Sequence, residues 1–292
     1  MAAIDFAAML RYEREKRRAL AAKEIVPKSL ILPSVSPRVL PELITLSSPT
    51  APRTLRYSDV FFSEADCAAV EAAIRGNHKP AEWLTLSKRS LLNLGGVPHP
   101  SGMIVEKLPE WLQNLVLSRL AECSVFPPDV VPNQVLLNEY APGQGIDPHN
   151  DGPLFEPCVA IISLGSSALL HFLRSPADSE GGTQGRGWAD LEPAASVLLR
   201  PGSLLVFEED AYRCFWHGVK EVEREEVNDH VLNAQHLGLE LGESIIRGRR
   251  LSLTIRAVRR VAVGADEFHS AAQADEARRR RAWWARSVSE KV

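Results

Sequence analysis

Asn138-Glu-Tyr140-Ala-Pro-Gly-Gln-Gly-Ile-Asp-Pro-His149-Asn-Asp151 reads as the end of a β-strand, a Pro/Gly turn and a His-x-Asp pair. Side chains alternate between faces in extended chain, so His149 and Asp151 project to the same side. An imidazole beside a carboxylate, completed by a second histidine from elsewhere, makes the facial triad that holds Fe(II) and leaves its other positions open. The same alternation puts Asn138 and Tyr140 on one face with Leu136, and turns Leu137 and Glu139 away.

The pair alone is weak, because eight histidines among 37 acidic residues give about one His-x-Asp/Glu by chance. Its companions carry the weight. In Arg250-Leu-Ser-Leu-Thr-Ile-Arg256 one face is wholly apolar, through Leu251, Leu253 and Ile255, and the other carries Arg250, Ser252, Thr254 and Arg256. On a wet sheet this is an ordinary solvent face. Inside a barrel it is a demand for anions, since buried cations do not persist unpaired. Two guanidinium forks on one strand suit the two ends of a small dicarboxylate. The third metal ligand is sought downstream among His171, His217, His230 and His236; His217 is chosen because it follows the strand Ser203–Phe207 and precedes Gly218, which leaves room for a metal. His78, His99 and His269 read as surface or loop residues. A zinc hydrolase would use similar ligands but has no need of the two arginines.

Composition bounds the rest. The chain has 292 residues, 45% hydrophobic and 24% charged, with a formal net charge of −3, which is ordinary for a globular protein and gives no global argument for nucleic-acid binding. Cys67, Cys123, Cys158 and Cys214 show no C-x-x-C spacing and read as reduced thiols. No apolar run is long enough for a membrane span. Asp5, Glu13 and Glu15 argue against a secretory or mitochondrial leader, so cytoplasm, nucleus or both is expected.

Residues 2–24 have helical composition and 27–53 are Pro/Ser-rich, so 1–53 is expected to be a peripheral helix and linker, 54–262 the domain, and 263–292 a helical extension. Ser63 with Asp66 at N3 and Phe62 facing Cys67 predicts a capped helix ending at Gly76-Asn77. Residues 78–104 read as loops or a hairpin over a site, and Pro109–Leu120 as a second helix. Strands are expected at Gln134–Tyr140, Val159–Leu164, Ala168–Leu173, Ser196–Leu199, Ser203–Phe207 and Arg250–Val258, with long loops at Ser175–Pro193 and Glu221–Gly248. Short strands joined by turn dipeptides, with helices outside, predict a mainly β (α+β) double-sheet jelly roll.

Taken together, Asn138-x-Tyr140, His149-x-Asp151, His217 and Arg250-x5-Arg256 resemble the AlkB family of Fe(II)/2-oxoglutarate dioxygenases, over roughly residues 55–262. The segments Asn133–Phe155, Ile162-Ser-Leu-Gly165 and Arg250–Arg256 are most similar to its homolog 6 branch. The resemblance implies a double-stranded β-helix with an N-terminal lid region. It implies Fe(2+) on His149, Asp151 and His217, and 2-oxoglutarate and O2 as co-substrates. Asn138 and Tyr140 would hydrogen-bond 2-oxoglutarate, Arg250 its distal carboxylate, and Arg256 its other end together with Asp151. The implied activity hydroxylates or oxidatively demethylates a substrate, first an alkylated base in single-stranded or damaged nucleic acid, with a monomer expected. A dioxygenase acting on protein or a small molecule, or a poorly active nucleic-acid or protein adaptor, are the alternatives. Leu94 stands where this branch leads one to expect an aromatic, which puts base stacking there in doubt.

Overall fold

In a computed structural model of the chain, residues 40–174, 188, 193–263 and 271–289 are described. The expected helix at 2–24 and nearly all of the loop 175–193 lie outside them. Sixteen strands follow in order: β1 Ile44–Leu46, β2 Leu55–Ser58, β3 Leu84–Thr85, β4 Ser90–Leu94, β5 Met103–Ile104, β6 Gln134–Tyr140, β7 Ile146–His149, β8 Cys158–Leu164, β9 Ala168–Arg174, β10 Ala195–Leu199, β11 Leu204–Glu208, β12 Phe215–Val219, β13 Arg224–Glu226, β14 Ser244–Ile246, β15 Arg250–Arg256 and β16 Val261–Val263. A major antiparallel sheet runs β1-β2-β11-β8-β15-β6-β4-β3, and a minor one runs β10-β9-β12-β7.

The chain passes between these sheets repeatedly, at Pro142-Gly143, Gly165 and Pro201-Gly202, so β6, β8, β11 and β15 line one wall and β7, β9, β10 and β12 the other. This is the double-stranded β-helix. The crossing at Gly202 has φ +83°, and a Cβ there would lie 2.4 Å from the Phe62 carbonyl oxygen. Only glycine fits.

Alternation sorts the core. Leu251, Leu253, Ile255, Val135, Leu137 and Ile162 face away from the minor sheet and pack with Phe61, Val70, Ile74, Leu112 and Val116. Two helical layers supply those partners. Glu64–Asn77 starts at the expected capping box, with Ser63 and Asp66 bonded reciprocally. The second helix runs through Glu110–Leu112, a π-helical turn Gln113–Leu117 and Ser118–Glu122. Between the sheets Val159, Ile161, Leu205 and Phe207 meet Leu170, Phe172, Val197 and Phe215, which closes one end of the barrel with apolar volume. Behind the minor sheet Leu169 and Leu198 are covered by Val227 and Val231, so part of the expected loop 221–248 is a packed flap that also holds β13 and β14.

Two stretches outside the barrel strands join the major sheet. The Pro/Ser-rich stretch 27–53, which the prolines bar from a helix or an interior strand, carries β1, which pairs with β2 in register Ile44↔Tyr57; Leu46 and Ala51 are buried, and the compact unit begins at Leu40. The physical reason is that β1 is a sheet edge, where flanking prolines cost no ladder bond. Residues 84–94, read as loop or hairpin, form a hairpin that joins the major sheet through β4 and β6. In the C-terminal region Ala271–Ser289 is helical; Arg280 donates to the Gly102 carbonyl, Arg281 pairs with Glu106, and Trp283 lies edge-on to His99.

Candidate active site

β15 is the central strand of the major sheet, and its register sets the site. Arg250 lies opposite Tyr140, Ser252 opposite Asn138, Thr254 opposite Leu136 and Arg256 opposite Gln134. All seven residues of β15 are buried. Its polar residues face the minor sheet, so both arginines point into the barrel and not to solvent.

On the opposite wall β7 and β12 place His149 directly across from His217, with ring centroids 4.4 Å apart. Asp151 follows two residues beyond β7. Ligand atoms of His149, Asp151 and His217 all lie within 4.8 Å of one another. His171, on the opposite face of β9, bonds Ser196, and the exposed His236 approaches Asp59; neither belongs to the cluster. Gly218 serves another purpose than the room for a metal read from the sequence: a Cβ there would lie 2.9 Å from the Ile146 carbonyl oxygen and from Trp188, so glycine lets β7 approach β12.

The surroundings orient these groups. His149 Nδ1 donates to the Asp147 carbonyl oxygen at 2.9 Å, which leaves Nε2 as the free lone pair. Asn150 Nδ2 donates to the Tyr212 carbonyl oxygen at 2.7 Å, and the Tyr212 hydroxyl donates to the Gly152 carbonyl oxygen, so the turn bearing Asp151 is fixed from both sides. Arg256 donates to Asp151 Oδ1 and through Nε to Gln134 Oε1 at 3.0 Å, and stacks over Phe155 at 4.1 Å. Gln134 in turn donates to Asn93 Oδ1 at 2.6 Å. Arg250 donates to Ser163 Oγ at 2.8 Å and lies over the Tyr140 ring.

Electrostatics gives the state a metal needs. Burial, reinforced by the neighbouring His149, pushes His217 down to about 3, and burial lowers His149 as well. Burial alone would raise the Asp151 carboxyl, but Arg256, His217 and His149 together hold it below its ordinary value. Two neutral imidazoles and one carboxylate at neutral pH are the protonation state that coordinates a divalent ion. Burial brings Arg250 down to about 10, still a cation at neutral pH.

The unpaired atoms say where ligands fit. Asp151 Oδ2, Asn138 Oδ1 and Arg250 Nε are buried without a hydrogen-bond partner among the described residues. In a folded chain such atoms cost free energy unless something bound satisfies them. A cation at Asp151 Oδ2 and a carboxylate at Arg250 Nε meet two of these needs; the Asn138 amide can reach a carboxylate only through its Nδ2 donor. The residues fit the metal and its co-substrate.

Sequence reasoning missed Gln134 and Ser163, which hold the two guanidinium groups, and Asn93, which holds Gln134. Period two was the available signal, since Gln134 shares a face with Asn138 and Tyr140. Leu94, the departure noted in the sequence, faces the helices and is buried in the outer core; it borders no part of the site, so base stacking does not turn on it.

Residues 69–256 match the 2OG-Fe(II) oxygenase superfamily. The zebrafish (Danio rerio) protein named "Probable RNA/DNA demethylase ALKBH6" is 37% identical over 211 residues, covering 72% of this chain and 88% of its own. Protein L905 of Acanthamoeba polyphaga mimivirus, of uncharacterized function, is 27% identical over 156 residues, 53% of this chain and 60% of its own. Among solved structures, "The structure of OsALKBH1" aligns with 74% of this chain and all of its own at 16% identity and a TM-score of 0.44. The superfamily match over most of the chain and the extent of identity to the zebrafish protein show that this chain belongs to the AlkB family of 2OG-Fe(II) oxygenases and is a 2-oxoglutarate-dependent dioxygenase that uses Fe(2+), 2-oxoglutarate and O2.

Proposed function

We propose that this dioxygenase oxidatively demethylates an alkylated base in a nucleic-acid strand, with His149, Asp151 and His217 as the iron ligands. The observation that carries the residue assignment is the placement of Arg250 and Arg256 on the buried face of one strand, opposite the His149–Asp151–His217 cluster. The name of the zebrafish relative supports the substrate class. In this chain Cys67, Cys123, Cys158 and Cys214 are unpaired thiols, compatible with the cytoplasm or nucleus.

Each residue has a definable task. Arg250 with the Ser163 and Tyr140 hydroxyls would bind the distal carboxylate of 2-oxoglutarate, and Asn138 would hydrogen-bond the same molecule. Arg256 ties Asp151 in place and presents its remaining N–H groups to the other end of the co-substrate. Iron, when bound, supplies the oxidation of a substrate C–H by O2 coupled to decarboxylation of 2-oxoglutarate. The protein's part is orientation and exclusion of water: Phe207 packs against His217 and Phe155 against Arg256. A hydroxylated N-methyl group then leaves as formaldehyde, which returns the unmodified base.

The test is release of succinate and formaldehyde from a panel of methylated oligonucleotides. Asp151→Ala should lower both by more than about a hundredfold, since several kcal/mol of metal-derived stabilisation are lost. Succinate release that no oligonucleotide accelerates would remove the nucleic-acid substrate, and equal turnover in Asp151→Ala would remove the ligand assignment.

A further inference from the structure

The hairpin β3–β4 carries a cation that none of these tasks uses. In β4, Leu91 lies opposite Asn138 and Asn93 opposite Leu136, while Leu92 and Leu94 point into the outer core. Arg89 immediately precedes the strand, so alternation gives it the face of Leu91 and Asn93, which is the face of the pocket. Asn93 is itself linked to Arg256 through Gln134.

The hairpin is anchored over the site. Lys88 Nζ lies 2.7 Å from Asp147 and 2.8 Å from Glu221, and Gln144 Nε2 donates to the Ser87 carbonyl oxygen at 3.3 Å. Asp147 is two residues before His149, so Lys88 clamps the hairpin to the strand that bears a candidate ligand. The cations nearby are therefore engaged: Lys88 by two carboxylates, Arg249 by Glu139 and Arg256 by Asp151. Arg89 differs. Its side chain makes no hydrogen bond or ion pair among the described residues, and its Nε is buried without a partner. Its neighbour Lys88 is held to Asp147, two residues before His149. A half-buried guanidinium with no acceptor costs free energy in the free protein.

The two ends of the co-substrate already have Arg250 and Arg256. The third guanidinium, next in the chain to the Lys88 clamp on β7 and on the pocket face of the hairpin, is left for the substrate. We propose that Arg89 is a specificity-determining residue that binds a phosphate oxygen of the strand next to the reacting base, so that the protein acts on nucleotides within a strand in preference to the free methylated nucleoside. This rests on the nucleic-acid substrate inferred above. A guanidinium fork suits a tetrahedral oxyanion, and phosphate is the anionic group that every nucleotide step presents.

The experiment compares wild type, Arg89→Gln and Arg89→Lys on a methylated oligonucleotide and on the matching nucleoside. Affinity for 2-oxoglutarate is read separately, by thermal shift with Mn(II) in place of iron. Arg89→Gln should raise KM for the oligonucleotide roughly tenfold, the loss of one charge-assisted bond, and reduce the salt dependence of binding by about one unit of slope. Its KM for the nucleoside and its 2-oxoglutarate affinity should stay at wild-type values. Arg89→Lys keeps the charge without the fork and should fall between the two; it also serves if Arg89→Gln does not fold. An unchanged KM for the oligonucleotide, or a fall in 2-oxoglutarate affinity instead, would overturn the proposal. So would stimulation of wild type by an acidic peptide that Arg89→Gln abolishes. A wild type that makes succinate but neither binds nor turns over any oligonucleotide overturns the phosphate contact and leaves the oxygenase standing.

Discussion

The two faces of β15 are equally buried and chemically opposite. Leu251, Leu253 and Ile255 meet aliphatic and aromatic neighbours from two helical layers, so their contacts are complete within the chain. Arg250, Ser252, Thr254 and Arg256 face the other sheet, where Arg250 Nε, Asn138 Oδ1 and Asp151 Oδ2 lack partners among the described residues. One face holds the fold together. The other is held by the fold, with polar atoms left for molecules that are not part of the chain. Burial by itself therefore says nothing about role; what distinguishes the faces is whether the polar atoms are satisfied.

The largest expected break in this comparison is Arg250→Met. Removing a buried guanidinium from its anion should weaken 2-oxoglutarate binding by about 2–5 kcal/mol, read by calorimetry with Mn(II). The ligand-free protein should melt no lower than wild type, and replacing the cation could raise its stability by roughly 1–4 kcal/mol. A lower melting temperature with 2-oxoglutarate affinity intact would show that the inner face is structural after all.

Leu253→Ala is the converse substitution on the same strand. It should cost about 2–5 kcal/mol of unfolding free energy through lost burial and a residual cavity, measured by chemical denaturation. The protein that remains folded should bind 2-oxoglutarate with wild-type affinity. If Leu253→Ala weakened the co-substrate as much as Arg250→Met did, the two faces would not be separable.

The smallest effect extends the contrast to the minor sheet. His171 is buried with Nδ1 2.7 Å from Ser196 Oγ, and burial, with Lys220 and Arg247 nearby, pushes it down to about 3. The unfolded chain titrates near the ordinary value of about 6.5. Between those two values the unfolded state binds a proton that the folded state does not. The contribution of His171 is therefore whole above about pH 6.5 and is lost as pH falls, at up to about 1.4 kcal/mol per pH unit. His171→Gln should flatten the loss of stability between about pH 6.5 and about pH 5; an unchanged slope would assign the acid sensitivity to other groups.

Legibility followed the range over which each signal acts. The capping box at Ser63, the helix at Glu64–Asn77 and the run Gln134–Tyr140 were readable because caps and period-two alternation involve residues a few positions apart. The stretch before Asp151 was read as extended chain but not as a sheet strand; as β7 it lies at the edge of the minor sheet, where the N–H that Pro148 lacks costs nothing. β12 was not seen either, since Phe215-Trp-His-Gly-Val has no alternation and is buried on both faces. His217 was chosen for its neighbouring glycine; its pairing across from His149 comes from the register of two strands separated by some 65 residues of sequence.

The chain by itself determined the chemical inventory: a His-x-Asp pair, a strand with two guanidinium groups on one side, and alternation that separates them from an apolar side. Those follow from local sterics and the two-residue repeat of extended backbone. Only the tertiary structure decided that the arginine side faces inward, that Gln134 and Ser163 hold it, that Lys88 is consumed by Asp147 and Glu221, and that Arg89 is left without a partner among the described residues. Sheet pairing and the closure of two sheets on one another set those contacts, and both depend on residues far apart in sequence whose proximity no short-range pattern encodes.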